Sequence, residues 1–245
     1  MTVGSEWEIL ILVGLRGDSH GRNVAHNGGK GHGMGLGSAV RSRLGRLEIP
    51  AIKLYRGAFI SVRDLARTLA EVVESPVLVG EIGCGDGVVI NALMQTWPTT
   101  DFVGVDPAPT VGRLFAGDPR RVRFQVATSA DLLVEYESKF DVTLVVDVVH
   151  HVAERERVTV LQDAARLTAP GGVVVFKEWE ISRGFAHAVA YCADRFVSGD
   201  VDVRFMDRAE LDRLIESALP GWETVLRTRV RPRRNNALWI LRKPV

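Results

Sequence analysis

The 245 residues carry 31 Lys and Arg against 30 Asp and Glu, a formal net charge of +1, and 46% of them are hydrophobic. That balance suits one globular domain with a full core; it excludes a disordered or fibrous chain and gives no overall charge case for nucleic acid. Two cysteines, Cys84 and Cys192, exclude a disulfide framework and a CxxC zinc site.

The run Ile9 to Leu15 is too short to span a bilayer and has no basic segment before it. Neither an anchor nor a secretory signal is read, and the expected location is the cytoplasm, without a membrane partner. Residues Gly17 to Gly37 are so rich in glycine that ordering their backbone would cost more than their few apolar groups return, so residues 1–37 are expected to be flexible. His20, His26 and His32 recur at equal spacing there, but without acidic or cysteine companions they predict no metal site. Ser38 to Leu47 and Ser61 to Val73 read as helices separated by a stretch that Pro50 breaks, which makes residues 38–76 an N-terminal helical cap ahead of a catalytic domain over 77–245.

Val77, Leu78 and Val79 form the short apolar run of a strand buried on both faces, and Glu81 ends it. Gly83, Gly85 and Gly87 follow, free to take positive φ and to let a ligand lie against the backbone where the helix Val88 to Trp97 begins. A dinucleotide fingerprint needs a third small residue where this chain has Val88, so a nicotinamide cofactor fits poorly. The pattern Glu81-x-Gly83-x-Gly85-x-Gly87 instead resembles the first motif of the class I S-adenosylmethionine-dependent methyltransferases. The resemblance implies that S-adenosylmethionine is the cofactor, that the glycines pass under its methionine part with Cys84 as the small residue among them, and that Glu81 helps position its amino group.

The strand Asp101 to Val105 ends in Asp106-Pro107, and the Asp106 carboxylate, about twenty residues after the glycine loop, is placed to accept bonds from both ribose hydroxyls. A third strand, Val122 to Val126, leads to Thr128 and Ser129, where the family usually carries an acid that meets the adenine amino group. Thr128 stands at that position, with the Ser129 amide beside it. Asp131, three residues on, reads as a helix-starting acid favoured by the dipole.

The fourth strand, Phe140 to Asp147, is followed by Val148-Val149-His150-His151-Val152, which resembles the DxLHHV segment of small-molecule methyltransferases of the quinone-biosynthesis and natural-product types. The string of prolines and an aromatic residue usual in methyltransferases of nucleic-acid bases is missing. Asp147, at the strand end, joins the cofactor set; with Glu178 alone it is too sparse an oxygen set for Mg²⁺. After the helix Arg155 to Leu167, the turn Thr168-Ala169-Pro170-Gly171-Gly172 introduces the fifth strand, Val173 to Phe176. Glu178 then falls where related enzymes carry an active-site acid, with Trp179 beside it as a substrate contact.

Beyond that strand, Ile181 to Val197 reads as an amphipathic helix with His187, Tyr191 and Arg195 near one face. His187, Tyr191 and, from the cap, Tyr55 with Arg56 are the remaining substrate candidates. The helix Arg208 to Ala218 and the strands Trp222 to Val230 and Asn236 to Leu241 complete an α/β, Rossmann-like, doubly wound sheet of seven strands, mostly parallel with the last strand antiparallel.

The implied reaction is methyl transfer to a small-molecule acceptor, on a hydroxyl. His150 or His151 serves as base, with His150 preferred because Glu178 can orient it and hold the imidazolium. Basic clusters at Arg227, Arg229, Arg231, Arg233 and Arg234 and at Arg41, Arg43 and Arg46 keep open an RNA or protein methyltransferase, and a cofactor-binding protein without transfer is the third reading. No nucleic-acid partner is expected, and the oligomeric state leaves no mark in the sequence.

Overall fold

A computed structural model describes residues 61–181, 204–231 and 235–245. The segment expected to be flexible, the first expected cap helix, Tyr55 and Arg56, the run Ser182 to Val197 with His187 and Tyr191, and Arg233 and Arg234 lie outside those residues.

Helix α1, Val62–Val72, starts at Ser61, whose hydroxyl accepts from Asp64 N. Strand β1 is Leu78–Ile82, α2 is Val88–Thr96 and β2 is Asp101–Asp106. A link without an α-helix then leads to β3, Val122–Val126, followed by α3, Ser129–Tyr136, and β4, Phe140–Val146. Helix α4, Arg157–Leu167, precedes β5, Thr168–Trp179; α5 is Arg208–Ala218, β6 is Glu223–Val230 and β7 is Asn236–Arg242.

The seven strands lie in the order β3-β2-β1-β4-β5-β7-β6. Strands β1 to β5 are parallel, and β7 runs antiparallel between β5 and β6. The sequence predicts this architecture, including the inverted last strand. Because the chain winds outward from β1 to β3 and then returns to β4, the sheet has a switch point between β1 and β4. Ligands of open α/β sheets bind in the crevice at the carboxyl ends of such strands.

Side chains alternate between the two faces. On one face Val142, Leu144, Val173, Val175, Leu238 and Ile240 pack with Leu65 and Leu69 of α1 and Ile90 and Leu93 of α2. On the other, Val145, Val174, Phe176, Trp239 and Leu241 pack with helices α3, α4 and α5. The helix expected to belong to a cap, α1, therefore covers a sheet face beside α2.

Of the boundaries that differ from expectation, two do so for clear local reasons. Strand β4 stops at Val146 because Asp147 turns to φ +56°, and β5 begins as early as Thr168, with the Pro170-Gly171-Gly172 turn taken up as a register shift between Phe140 and Val142 of its neighbour. Gly80 has no room for a side chain, since a Cβ there would lie 2.3 Å from the Phe140 ring. Gly80→Ala is expected to cost roughly 1–3 kcal/mol by overpacking. A urea midpoint unchanged from wild type would show that the ring swings aside at no cost.

Candidate active site

The glycine loop takes the conformation that its composition permits: φ is +72° at Gly83, +48° at Gly85 and +77° at Gly87. Gly83 N and Cys84 N both donate to Val105 O, at 2.8 and 2.9 Å, which fastens the loop to the end of β2. A Cβ on Gly87 would lie 2.8 Å from the Phe124 ring and 3.2 Å from Gly112 Cα, so the loop is closed in from the β3 side as well.

Asp106 joins the two strand ends. Its Oδ2 accepts from Gly85 N at 2.9 Å and its Oδ1 from Ala108 N at 2.8 Å. A carboxylate offers about four acceptor sites, so this one can brace the loop and still receive a diol. Pro107 is exposed just beyond it. Glu81 is 2% exposed beneath the loop. Burial first, then the charges of Glu81, Asp106 and Asp86, push the Cys84 thiol up, and Cys84 packs in the core on the α2 face. Its side chain is a filler there, and the thiol is held in its neutral, unreactive form.

Thr128 and Ser129 open α3. Thr128 caps the helix: Asp131 Oδ2 accepts from Thr128 N at 2.8 Å and from its hydroxyl at 2.7 Å. The reading of Asp131 as a helix-starting acid thus describes its bonds. The Ser129 hydroxyl donates to Asp163 Oδ2 of α4 at 2.6 Å, inside the protein. Both hydroxyls are thus engaged by carboxylates.

The most organised part of the site lies between β4 and β5. Glu178 is 1% exposed; its Oε1 accepts from Val148 N at 2.8 Å and Val149 N at 2.7 Å, and its Oε2 lies 2.7 Å from His150 Nδ1. Burial alone would raise this carboxyl, but the charge and hydrogen bond of His150, the Lys177 ammonium and the Val149 amide hold it below its ordinary value of 4.5. His150, 4% exposed, is stacked on Phe205 with ring centroids 4.9 Å apart, and the half-buried His151 ring is 4.0 Å away on a tilt. Trp179 packs against Phe205 and so borders the same cluster.

Lys177, wholly buried, donates from Nζ to both carboxylate oxygens of Asp147, at 2.7 and 2.6 Å, while Asp147 N donates to Lys177 O at 2.8 Å. Asp147, His150 and Glu178 bring ligand atoms within 4.8 Å of one another. A lysine ammonium already balances Asp147, and the Glu178 oxygens are spent on N–H donors, so the trio is built around a tethered cation.

Sequence reasoning places Glu81, Gly83, Gly85, Gly87 and Asp106 around one loop, and His150 and Glu178 in one contact. It misses Lys177, for which a charge inside the apolar run Val173 to Trp179 was the available signal, and Phe205, for which there was none. Two arginines of the basic cluster near the C-terminus have partners: Arg227 pairs with Asp212, and Arg229 with the buried Glu180 at 2.9 Å. Among the described residues no helix is long and apolar enough to cross a membrane.

Comparison with known proteins agrees with this architecture. Residues 81–174 match a family model described as a methyltransferase domain. A ubiquinone biosynthesis O-methyltransferase of Methylobacterium nodulans is 32% identical over 149 residues, an alignment that covers 56% of this chain and 57% of that protein. The chain thus spans little more than half the length of that curated relative. Among solved structures, the S-adenosylmethionine-dependent methyltransferase SibL aligns with a TM-score of 0.65 at 20% identity, over 88% of this chain and 64% of that one. The 1,6-didemethyltoxoflavin-N1-methyltransferase of Burkholderia thailandensis, solved with S-adenosylhomocysteine, aligns with a TM-score of 0.58 at 18% identity, over 85% of this chain and 88% of that one. Strand order, glycine loop and matched segment agree: residues 81–174 are similar to a methyltransferase domain, and the described residues have the Rossmann-like fold of these solved structures.

Proposed function

We propose that the protein transfers the methyl group of S-adenosylmethionine to a hydroxyl of a small molecule, with His150 as base. The observation that carries the reading is the buried His150–Glu178 contact between the carboxyl ends of β4 and β5, one strand from the switch point, on the turn whose Val148 lies against Gly83 of the glycine loop. The loop itself suits this cofactor: Glu81, Asp86 and Asp106 gather negative charge around Cys84, which favours a ligand bearing an ammonium and a sulfonium and opposes a pyrophosphate. When bound, the cofactor supplies an electrophilic methyl carbon on a good leaving group.

The chain's own residues then position and deprotonate. Asp106 and the glycines would hold the cofactor, and Glu81 would receive its amino group. Holding two reactants in near-attack geometry removes on the order of 7–11 kcal/mol of barrier. Nδ1 of His150 is committed to Glu178, so Nε2 is the atom that would take the proton of the acceptor hydroxyl, with Glu178 holding the imidazolium. His151, Trp179 and Phe205 line the acceptor side of that ring. A small acceptor is favoured over RNA because Arg227 and Arg229 are engaged by carboxylates, and an oxygen acceptor is favoured by the O-methyltransferase relative.

Isothermal titration with S-adenosylmethionine, S-adenosylhomocysteine and NADH tests the cofactor. Both sulfur compounds are expected to bind the wild type, and Asp106→Ala is expected to bind them at least tenfold more weakly, the loss of one charge-assisted pair of bonds. Binding of NADH alone, or of none of the three, would end the proposal.

A further inference from the structure

Arg157 opens α4 and is 4% exposed, yet no carboxylate pairs with it among the described residues. Its one hydrogen bond runs from Nε to Val152 O at 3.0 Å. The two Nη groups, four N–H donors, have no partner among the described residues, although a buried guanidinium is ordinarily paired. They border a cavity of about 330 Å³ between α4 and α5, lined also by Glu154, Arg204, Glu210, Arg213 and Ser217.

The carboxylates of that cavity are taken. Glu154 Oε2 and Glu210 Oε1 accept from the same Arg204, at 2.9 and 2.7 Å. Arg213 is exposed on α5 with no ion pair among the described residues. Three guanidinium groups therefore face two carboxylates, and the excess positive charge is the buried one. Burial, and then the neighbouring charge of Arg204, pull the Arg157 pKa below its ordinary value, a cost that an anion would relieve.

The geometry points to a binding site for a small oxyanion between α4 and α5, in which the Nη groups of Arg157 and the guanidinium of Arg213 hold a phosphate or carboxylate in a forked contact. The site is separate from the glycine loop and stands whether or not the protein transfers methyl groups. It communicates with the catalytic turn, since Arg157 Nε holds Val152 O and Arg204 N donates to His150 O at 3.0 Å.

Inorganic phosphate titrated into the full chain at constant ionic strength, with chloride as the balancing anion, is the test. Saturable binding with a dissociation constant near or below about 1 mM is expected. Arg213→Met, at an exposed position, is expected to fold and to bind about tenfold more weakly. Arg157→Met is expected to abolish binding, and in phosphate-free buffer to unfold no earlier than wild type, because it removes an uncompensated buried charge. Phosphate heats no different from chloride, or Arg213→Met binding phosphate as wild type does, would overturn the site, as would loss of stability in Arg157→Met without any change in binding.

Discussion

Glu178→Gln is expected to fold and to bind cofactor, yet to lose methyl transfer by roughly 10²- to 10⁴-fold, the usual worth of a general base. The amide can keep only one orientation. Its oxygen must remain on Val148 N and Val149 N, where Glu178 Oε1 sits now at 2.8 and 2.7 Å. The NH₂ group then faces His150 Nδ1, which must accept, so the ring proton moves to Nε2 and the imidazole can no longer take a proton from the acceptor. In the wild type the carboxylate enforces the opposite tautomer and stabilises the imidazolium as it forms. The discriminating readout is a fall in kcat with cofactor affinity unchanged, together with a flat pH–rate profile where the wild type shows the rise of a titrating base. A Glu178→Gln enzyme within threefold of wild-type kcat would remove His150 from the proposed mechanism.

The same carboxylate gives a stability signature of definite sign. Its folded-state pKa lies below the ordinary value of 4.5, so the stabilisation is complete above pH 4.5 and is lost as pH falls through the folded value. Glu178→Gln should flatten the fall of the urea midpoint in that acid range. An undiminished acid dependence in the variant would place it in other carboxylates, of which Asp118, with a pKa of about 2 set by Arg120, is one.

These outcomes rest on features legible to different degrees in the sequence. The glycine loop, Asp106 and the His150–Glu178 pairing were readable because each depends on residue type at a fixed distance from a strand end, and the parallel sheet turns such spacing into proximity. Thr128 and Ser129 show where spacing runs out. Their register was readable, but the partners of their hydroxyls, Asp131 on the same turn and Asp163 on another helix, are choices made by packing. Lys177 was hidden differently: in a strand, a lysine beside apolar residues reads as an edge or a snorkelling side chain, and only the left-handed turn at Asp147 brings its partner back over it. Phe205 and Arg157 gain their meaning from a helix pair and a ring stack that no local pattern encodes.

Lys177→Met should cost more stability than any surface change, about 3–5 kcal/mol, and should damage the site as well. The ammonium is fully buried, and both oxygens of Asp147, itself largely buried, depend on it. Removing one member of a buried pair leaves a charge without compensation, which is worse than removing both. Lys177→Met with Asp147→Asn should therefore recover most of the loss, since asparagine tolerates the left-handed conformation that Asp147 adopts at φ +56°. The damage to the site follows from the same turn: Asp147 immediately precedes Val148 and Val149, whose amides hold Glu178, so a loosened Asp147 shifts the orientation of His150. Urea midpoints of the two single variants and the double variant form a cycle whose coupling should be roughly 3 kcal/mol or more, the upper end for residues in contact, and kcat should fall in Lys177→Met and recover in part in the double variant. Additive midpoints would mean that the pair is only a contact, and that the charge balance beneath His150 is kept by other groups.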